Sequence, residues 1–442
     1  MECKIMNLKT FDRLESEVRG YIRSFPMLFN KARGSKLYDD ESNAYIDFFS
    51  GAGTLNYGHN NPVIKQELLD YLDADGLVHG LDMATVAKKE MLETFERLIL
   101  NPRKMHYKLQ FTGPTGTNAV EAALKLARQV KGRTNIVSFT HGFHGVTGGS
   151  LAATANSKYR DAAGITLDNT TFMPYDGYLG KGVDTTEYLE RMIADRSSGM
   201  DHPAAVIVET VQGEGGVNVA SAAWLRALEQ VCRRQDMLLI IDDIQVGCGR
   251  TGRFFSFEEA GISPDIITLS KSISGFGLPM ALVLMKPELD IWKPGEHNGT
   301  FRGNNLAFVT ARAALLHYWS DDAFQESVRR KGGIMRNWLD HIVADYPSGG
   351  FSVRGRGMIL GIASTDERLP DQIAKSCFER RLIIETSGAD DVLKLLPALT
   401  IDEKLLCEGL EIIEDSVAHV LGVARIRGQD RKIKYINFRG TR

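Results

Sequence analysis

Asp242 and Lys271 each stand just past a short apolar run, Met237–Ile241 (MLLII) and Ile266–Leu269 (IITL). Runs of this length bounded by polar residues read as buried strands. In open α/β sheets, ligands bind beyond the carboxyl ends of the strands. A lysine desolvated at such an edge gives up its proton more readily, which suits imine formation. A carboxylate there suits a protonated ring nitrogen. Most lysines are solvated surface groups, so Lys271 gains weight only from its neighbours in the pattern.

Those neighbours are further polar strand ends. FTGPTGTN holds Gly113, Gly116 and Thr117 ahead of a helical segment. Glycines at a helix N-terminus let backbone N–H groups approach an anion; the bland reading is an ordinary strand–helix turn. HGFHG follows Ile136–Phe139. His141 and His144 form no metal pair without a third ligand, and Phe143 either faces a planar ligand or caps the core. AVIVETVQGEGG places Glu209 at a strand end and Glu214 on a glycine-rich loop, as acid–base groups or as anchors for cations. The turn at Gly116, His144, Glu209, Asp242 and Lys271 thus mark five successive strand ends, a shared ligand site by topology.

Two tempting motifs fall. Gly247–Gly252 (GCGRTG) matches GxGxxG, with Asp265 downstream. DDIQV intervenes between strand and glycines, and RFFSF is a poor helix start, so the dinucleotide context is wrong. LLIIDD is similar to the magnesium strand of nucleotide hydrolases, but the chain has no GxxxxGK[ST] loop.

The elements that position these residues alternate. Tyr107–Phe111, Ile136–Phe139, Ala204–Glu209, Met237–Ile241, Ile266–Leu269 and Met280–Met285 read as strands. Asn118–Val130, with an Asn-x-x-Glu start, and Trp224–Gln235 read as helices. Alternation predicts a mostly parallel sheet covered on both faces. Upstream, a polar helix and an extended stretch around Ser24–Phe29 precede a hairpin of Lys36–Tyr38 and Ala44–Phe48; Val63–Leu72 and Met83–Leu100 read as helices. Beyond about Leu306 come Ala307–Trp319 and Phe324–Val343, then a small α+β part over Phe351–Ile362, Cys377–Ile384 and Val392–Leu396, and a last helix, Glu403–Val420. The predicted units are 1–59, joined in space to a small domain; 60–310, the large domain; 311–424, the small domain; and 425–442, a basic tail read as solvated.

Composition sets the class. The 442 residues are 43% hydrophobic and 25% charged, as for a soluble globular protein, and the net charge of −3 argues against nucleic acid or a membrane as partner. Five scattered cysteines without a CxxC pair indicate neither a disulfide framework nor a zinc ribbon. The N-terminus lacks the apolar core of a secretory signal, so a cytoplasmic location is expected.

The stretches TGTNAVEAALKLAR, GFHGVT, VIVETVQGEGG, LLIIDDIQVGCGRTG, PDIITLSKS and GTFRGN resemble the class III, or ω-type, aminotransferases. The resemblance spans roughly residues 37–400. It implies the pyridoxal-phosphate-dependent transferase fold type I: α/β, with a mostly parallel seven-stranded sheet in a large domain and a smaller α+β domain. It implies pyridoxal 5′-phosphate as cofactor, small amino and oxo acids as substrates, and a homodimer or higher oligomer with shared sites. Lys271 would carry the cofactor, Asp242 would pair with its ring nitrogen and Gln245 would reach its ring hydroxyl. Gly116 and Thr117 would hold the phosphate, Phe143 would stack on the ring, and Thr300 would reach the partner subunit's cofactor phosphate. RSFP, GAGTLNYGHN, DGLVHGLDM, SISGFGLP and PELDIWKPGEHNGTFRGNNLAFV are similar to the diaminobutyrate–2-oxoglutarate aminotransferase subgroup of the ectoine-pathway type. That likeness implies amino transfer between L-glutamate and L-aspartate 4-semialdehyde.

Two positions depart from the wider family. Many members carry arginine where KLLPALT has Lys394; it binds the substrate carboxylate and pairs with the glutamate matching Glu214. Lysine is shorter and not bidentate, which argues against the usual pair. Arg302 replaces a glycine and is either a substrate cation or an interface charge. Other ω-aminotransferases (acting on ornithine, acetylornithine or 4-aminobutyrate) and an aminomutase are the competing enzyme readings. A non-catalytic binding protein would have no need of both Lys271 and Asp242.

Overall fold

The computed structural model describes residues 8–180 and 182–425. Its central sheet has seven strands: β1 (Lys108–Phe111), β2 (Ile136–Phe139), β3 (Thr170–Met173), β4 (Ala205–Val208), β5 (Leu238–Asp242), β6 (Ile266–Leu269) and β7 (Leu282–Met285). Their spatial order is β1-β7-β6-β5-β4-β2-β3. Pairing is parallel from β6 through β5, β4 and β2 to β3, while β7 runs antiparallel to β6 and to β1. The carboxyl ends of all strands but β7 therefore share one edge.

The apolar runs are continuous because both faces are covered. Leu239 and Ile241 of β5 pack with Trp224, Phe254 and Phe308 on one face. Leu238 and Ile240 pack on the other against Ala119, Ala123 and Leu126 of helix α1 (Gly116–Lys131). This is the period-2 alternation of a strand. Truncating one such side chain, Ile240→Ala, costs about 2–5 kcal/mol.

A second apolar core joins Phe48 to the helices Ala323–Asp345 and Glu403–Val420 and to a four-stranded antiparallel sheet. That sheet consists of β8 (Phe351–Arg356), β9 (Ile359–Ser364), β10 (Glu385–Ser387) and β11 (Val392–Leu395), in the order β8-β9-β11-β10. The strand Ala44–Asp47 pairs in parallel with Leu382–Ile383, so the N-terminal segment reaches the C-terminal part of the chain.

Several elements differ from the sequence reading. α1 begins at Gly116, with Thr115 as its cap accepting from Asn118 N–H. Asn118 is thus no cap: its side chain accepts from Gly113 N–H, and Glu121 accepts from Ser150 N–H instead. β3 was not predicted, since TTFM is short and half-exposed. Phe351–Ile362 is a hairpin that turns at Gly357, where φ is 62°. The helix read over Met83–Leu100 starts at Val86, capped by Thr85, and ends in a π turn, Glu96–Leu100. Upstream of Phe29 the described chain has only two short helices, Lys9–Leu14 and Tyr21–Ser24. The basic tail lies outside the described residues, apart from Arg425, which pairs with Asp415 at 2.8 Å.

The GCGRTG segment is scaffolding. Arg250 is fully buried and donates to Asn56 Oδ1 (2.5 Å), Pro397 O (2.5 Å) and Met358 O (3.2 Å). Asp265, 18 residues past Gly247, accepts from Arg233, Lys286 and the Leu239 N–H, a structural role.

Candidate active site

Asp242 closes β5 at the shared edge and is buried. Its Oδ1 accepts from Thr268 Oγ1 (3.1 Å) on β6 and from Ile244 N–H (3.2 Å). Its Oδ2 lies 2.7 Å from Nδ1 of buried His144, in the loop after β2. Glu209, just past β4, accepts from Phe143 N–H at 2.9 Å. Burial, and then the charge of Asp242, push the Glu209 carboxyl well above the usual carboxylate range.

Lys271 opens a 3-10 turn directly after β6. Its φ of 49° puts a non-glycine residue in the left-handed region, a conformation that packing must hold. Nζ donates to Ala52 O at 2.9 Å, and Ser272 Oγ donates to Gly53 O at 2.7 Å. The N-terminal turn Ser50–Gly53 therefore clasps the lysine. Burial lowers the Lys271 pKa; Glu214, Glu385 and Asp242 oppose the shift, and Lys394 adds to it.

A second polar cluster begins one step away. Gln245 Nε2 donates to the same Ala52 O (3.2 Å) and to Glu214 Oε1 (2.8 Å). Glu214 Oε1 also accepts from Lys394 Nζ at 2.8 Å, so the acid–lysine pair forms despite the shorter side chain. Lys394, on β11, is fully buried and has Glu385 Oε1 of β10 at 3.0 Å. Burial pushes Glu214 up, but Lys394, Lys271 and Gln245 prevail and bring it to about 2. The same two carboxylates raise Lys394 against the effect of burial.

Gly116 stands at the first position of α1, where a Cβ would come within 3.1 Å of Ile244. Thr117 Oγ1 bonds Thr147 Oγ1 (2.8 Å) and Ser150 Oγ, tying the helix start to the loop after β2. The Phe143 ring meets Tyr159 edge-on, with centroids 5.3 Å apart. Thr300 and Arg302 stand apart from both clusters. Thr300 is exposed, and its carbonyl accepts from His79 Nε2 at 2.9 Å. Arg302 pairs with Asp82 and donates to His297 O at 3.4 Å. Among the described residues no group of three His, Cys, Asp or Glu could hold a metal ion.

Sequence reasoning missed the His144–Asp242 bond, the Ala52 carbonyl and Glu385. His144 was placed at the right strand end, and sheet order supplies the rest. Ala52 and Glu385 carry no local signal.

The family model described as Aminotransferase class-III matches residues 20–417. The chain belongs to the class III aminotransferases. Members of this family depend on pyridoxal 5′-phosphate, and this aminotransferase does too. The diaminobutyrate–2-oxoglutarate transaminase of Bordetella parapertussis is 71% identical over 418 residues, covering 94% of this chain and 96% of that protein. That of Halomonas elongata is 59% identical over 415 residues, covering 93% and 99%. An S-selective transaminase from Arthrobacter sp. superposes with a TM-score of 0.85 at 20% identity, covering 94% of this chain and 98% of that one. An ornithine aminotransferase from Toxoplasma gondii gives 0.83 at 24% identity, covering 97% and 96%. These two structures share the aminotransferase fold.

The residues at the sheet edge fit the cofactor. Gln245 Oε1 is buried and accepts no hydrogen bond, leaving an acceptor for a ring hydroxyl. A lysine with a lowered pKa and a buried carboxylate lie at the same edge, beside a helix N-terminus whose first residue has no Cβ.

Proposed function

We propose that this aminotransferase reversibly moves an amino group between L-glutamate and L-aspartate 4-semialdehyde, giving 2-oxoglutarate and L-2,4-diaminobutyrate. The observation that carries the substrate is the 71% identity to the Bordetella parapertussis transaminase over 94% of this chain. The likeness to the ectoine-pathway subgroup supports that route for the product.

Pyridoxal phosphate, when bound, supplies an electron sink for the carbon that loses its proton. Lys271 would hold it covalently at rest. Once displaced by substrate, Lys271 Nζ would take the proton from the amino-bearing carbon and deliver it to the cofactor carbon on the same face, as general base and then acid. The lowered pKa suits both tasks. Asp242, steadied by His144 and Thr268, would keep the ring nitrogen protonated. Gln245 Oε1 would accept from the ring hydroxyl, Gly116 and Thr117 would cradle the phosphate, and Phe143 would cover a ring face. Lys394 would bind the distal substrate carboxylate.

The same reading assigns residues 60–310 to a cofactor-binding unit and 1–59 with 311–424 to a smaller one. The pairing of Ala44–Asp47 with Leu382–Ile383 supports that division. It makes the protein a homodimer in which exposed Thr300 faces the partner's phosphate and Arg302 is an interface charge. It puts the protein in the cytoplasm, in keeping with the four described cysteines being free. No described helix is long and apolar enough to cross a membrane.

The test is a panel of amino donors against the purified holoenzyme with 2-oxoglutarate as acceptor. Preference for L-2,4-diaminobutyrate is the expected result; preference for ornithine, acetylornithine or 4-aminobutyrate refutes the substrate. Turnover without any oxo acid would indicate an aminomutase instead.

A further inference from the structure

The second polar cluster carries more acid than a carboxylate-binding site needs. One ammonium, Lys394, sits between two carboxylates, Glu214 and Glu385. The two acids are not equivalent. Glu214 Oε1 receives hydrogen bonds from both Lys394 and Gln245. Glu385 has a side chain only 9% exposed, and its Oε1 takes no hydrogen bond. Lys394 Nζ approaches it to 3.0 Å as an ion pair. Buried acceptors are normally satisfied, so Glu385 Oε1, ion-paired with Lys394 yet without an aligned hydrogen bond of its own, can take a further donor.

Its position is fixed. Glu385 and Lys394 are paired residues on neighbouring strands β10 and β11, so both side chains leave the sheet on the same face. The cluster is continuous with Lys271 through Glu214, Gln245 and the Ala52 carbonyl. Tyr21 and Tyr159 border it, since the charges of Glu385, Glu214 and Lys394 all act on their phenols.

The substrate chemistry supplies the donor. An ω-amino acid reacting through its terminal amine presents an α-carboxylate and an α-ammonium at the far end. Glutamate, reacting through its α-amine, presents a carboxylate alone, as does 4-aminobutyrate. A lysine beside an unsatisfied acid complements the first kind of end and not the second. Resting on the proposed diaminobutyrate activity, we propose that Glu385 binds the distal α-ammonium of the ω-amino substrate and selects for it, while Lys394 takes the carboxylate. L-Aspartate 4-semialdehyde keeps that α-ammonium, so the same contact serves both directions of the half-reaction. Burial pushes the free Glu385 carboxyl up to about 7 despite Lys394, and an arriving ammonium offsets that burial.

The experiment follows single half-reactions of the holoenzyme by the absorbance of its cofactor, with L-2,4-diaminobutyrate, L-ornithine, L-glutamate and 4-aminobutyrate in turn. For Glu385→Gln, kcat/KM for diaminobutyrate falls about 10- to 100-fold, the range of a charged hydrogen bond. Glutamate stays within about threefold and 4-aminobutyrate holds or rises, which also shows that the variant is folded. Glu385→Asp, which keeps the charge, gives an intermediate value for diaminobutyrate. Equal losses for diaminobutyrate and glutamate, or no loss for either, overturn the proposal. If the wild-type enzyme ignores diaminobutyrate but accepts ornithine, the substrate reading fails, and the ornithine-to-glutamate ratio decides the Glu385 proposal alone. A wild-type preference for 4-aminobutyrate overturns both.

Discussion

The molecule has two buried acidic clusters within reach of Lys271, and they are built on opposite principles. Asp242 and Glu209 stand at the ends of adjacent parallel strands, with His144 as the neighbour of one and a backbone N–H as the donor to the other. Among the described residues no lysine or arginine bonds either acid, and the Glu209 carboxyl is driven far up. Glu214 and Glu385 come from a loop and a short antiparallel strand, and both enclose the Lys394 ammonium. The strand-end cluster holds unbalanced charge on a rigid edge, as a site for steering protons requires. The other gathers two acids around one ammonium, an arrangement that a zwitterionic substrate end can exchange into.

Removing Lys271 should have the largest effect and leave the comparison intact. Lys271→Ala is expected to slow the glutamate half-reaction on the order of 10⁴-fold, read by single-turnover kinetics. Ordinary turnover in that variant would refute its assignment. Next, Lys394→Met should cost about 3–5 kcal/mol in urea unfolding, because two buried carboxylates lose their cation. Asp242→Asn should cost much less, since it relieves repulsion with Glu209; comparable losses would dissolve the contrast between the clusters.

A smaller change is expected for His144→Phe, about a tenfold drop in kcat with glutamate, with KM nearly unchanged, as Asp242 loses one hydrogen-bond partner. The smallest effect is on pH dependence. Glu385 titrates at about 7, so it is protonated below that pH and ionised above it. Lys394 and Glu214, which face it, keep their charges across pH 6 to 8, one raised and the other held at about 2. The ratio of kcat/KM for diaminobutyrate to that for glutamate should therefore rise several-fold from pH 6 to 8 and then level off. In Glu385→Gln the ratio should be flat; a wild-type ratio that falls with pH would contradict this.

The strand-end cluster was largely legible in the sequence. Uniform apolar runs cut off by Asp242, Glu209 or Ser270–Lys271 report strands covered on both faces, and the position of the cut reports the edge. What the runs leave out is order. His144 and Asp242 are 98 residues apart, and only the placement of β4 between β2 and β5 brings them together. The cluster around Lys394 was half legible. Lys394 and Glu214 were flagged by resemblance, but the LKLL run gives no sign that its lysine is fully buried. Glu385 was not singled out because its partner lies across an antiparallel ladder of three residue pairs. Thr300 and Arg302 resisted for another reason: the roles expected of them involve a second subunit.

Arg250 sets a mechanical limit on all of this. Its guanidinium joins the loop after β5 to Asn56 on one side and to the Met358 and Pro397 carbonyls on the other. Swinging the C-terminal sheet away from the central one would strand a buried cation without acceptors, an expensive state. Opening that seam would have to break those bonds, so adjustment of the side chains around Lys394 is the less costly way to fit substrates with and without a distal ammonium.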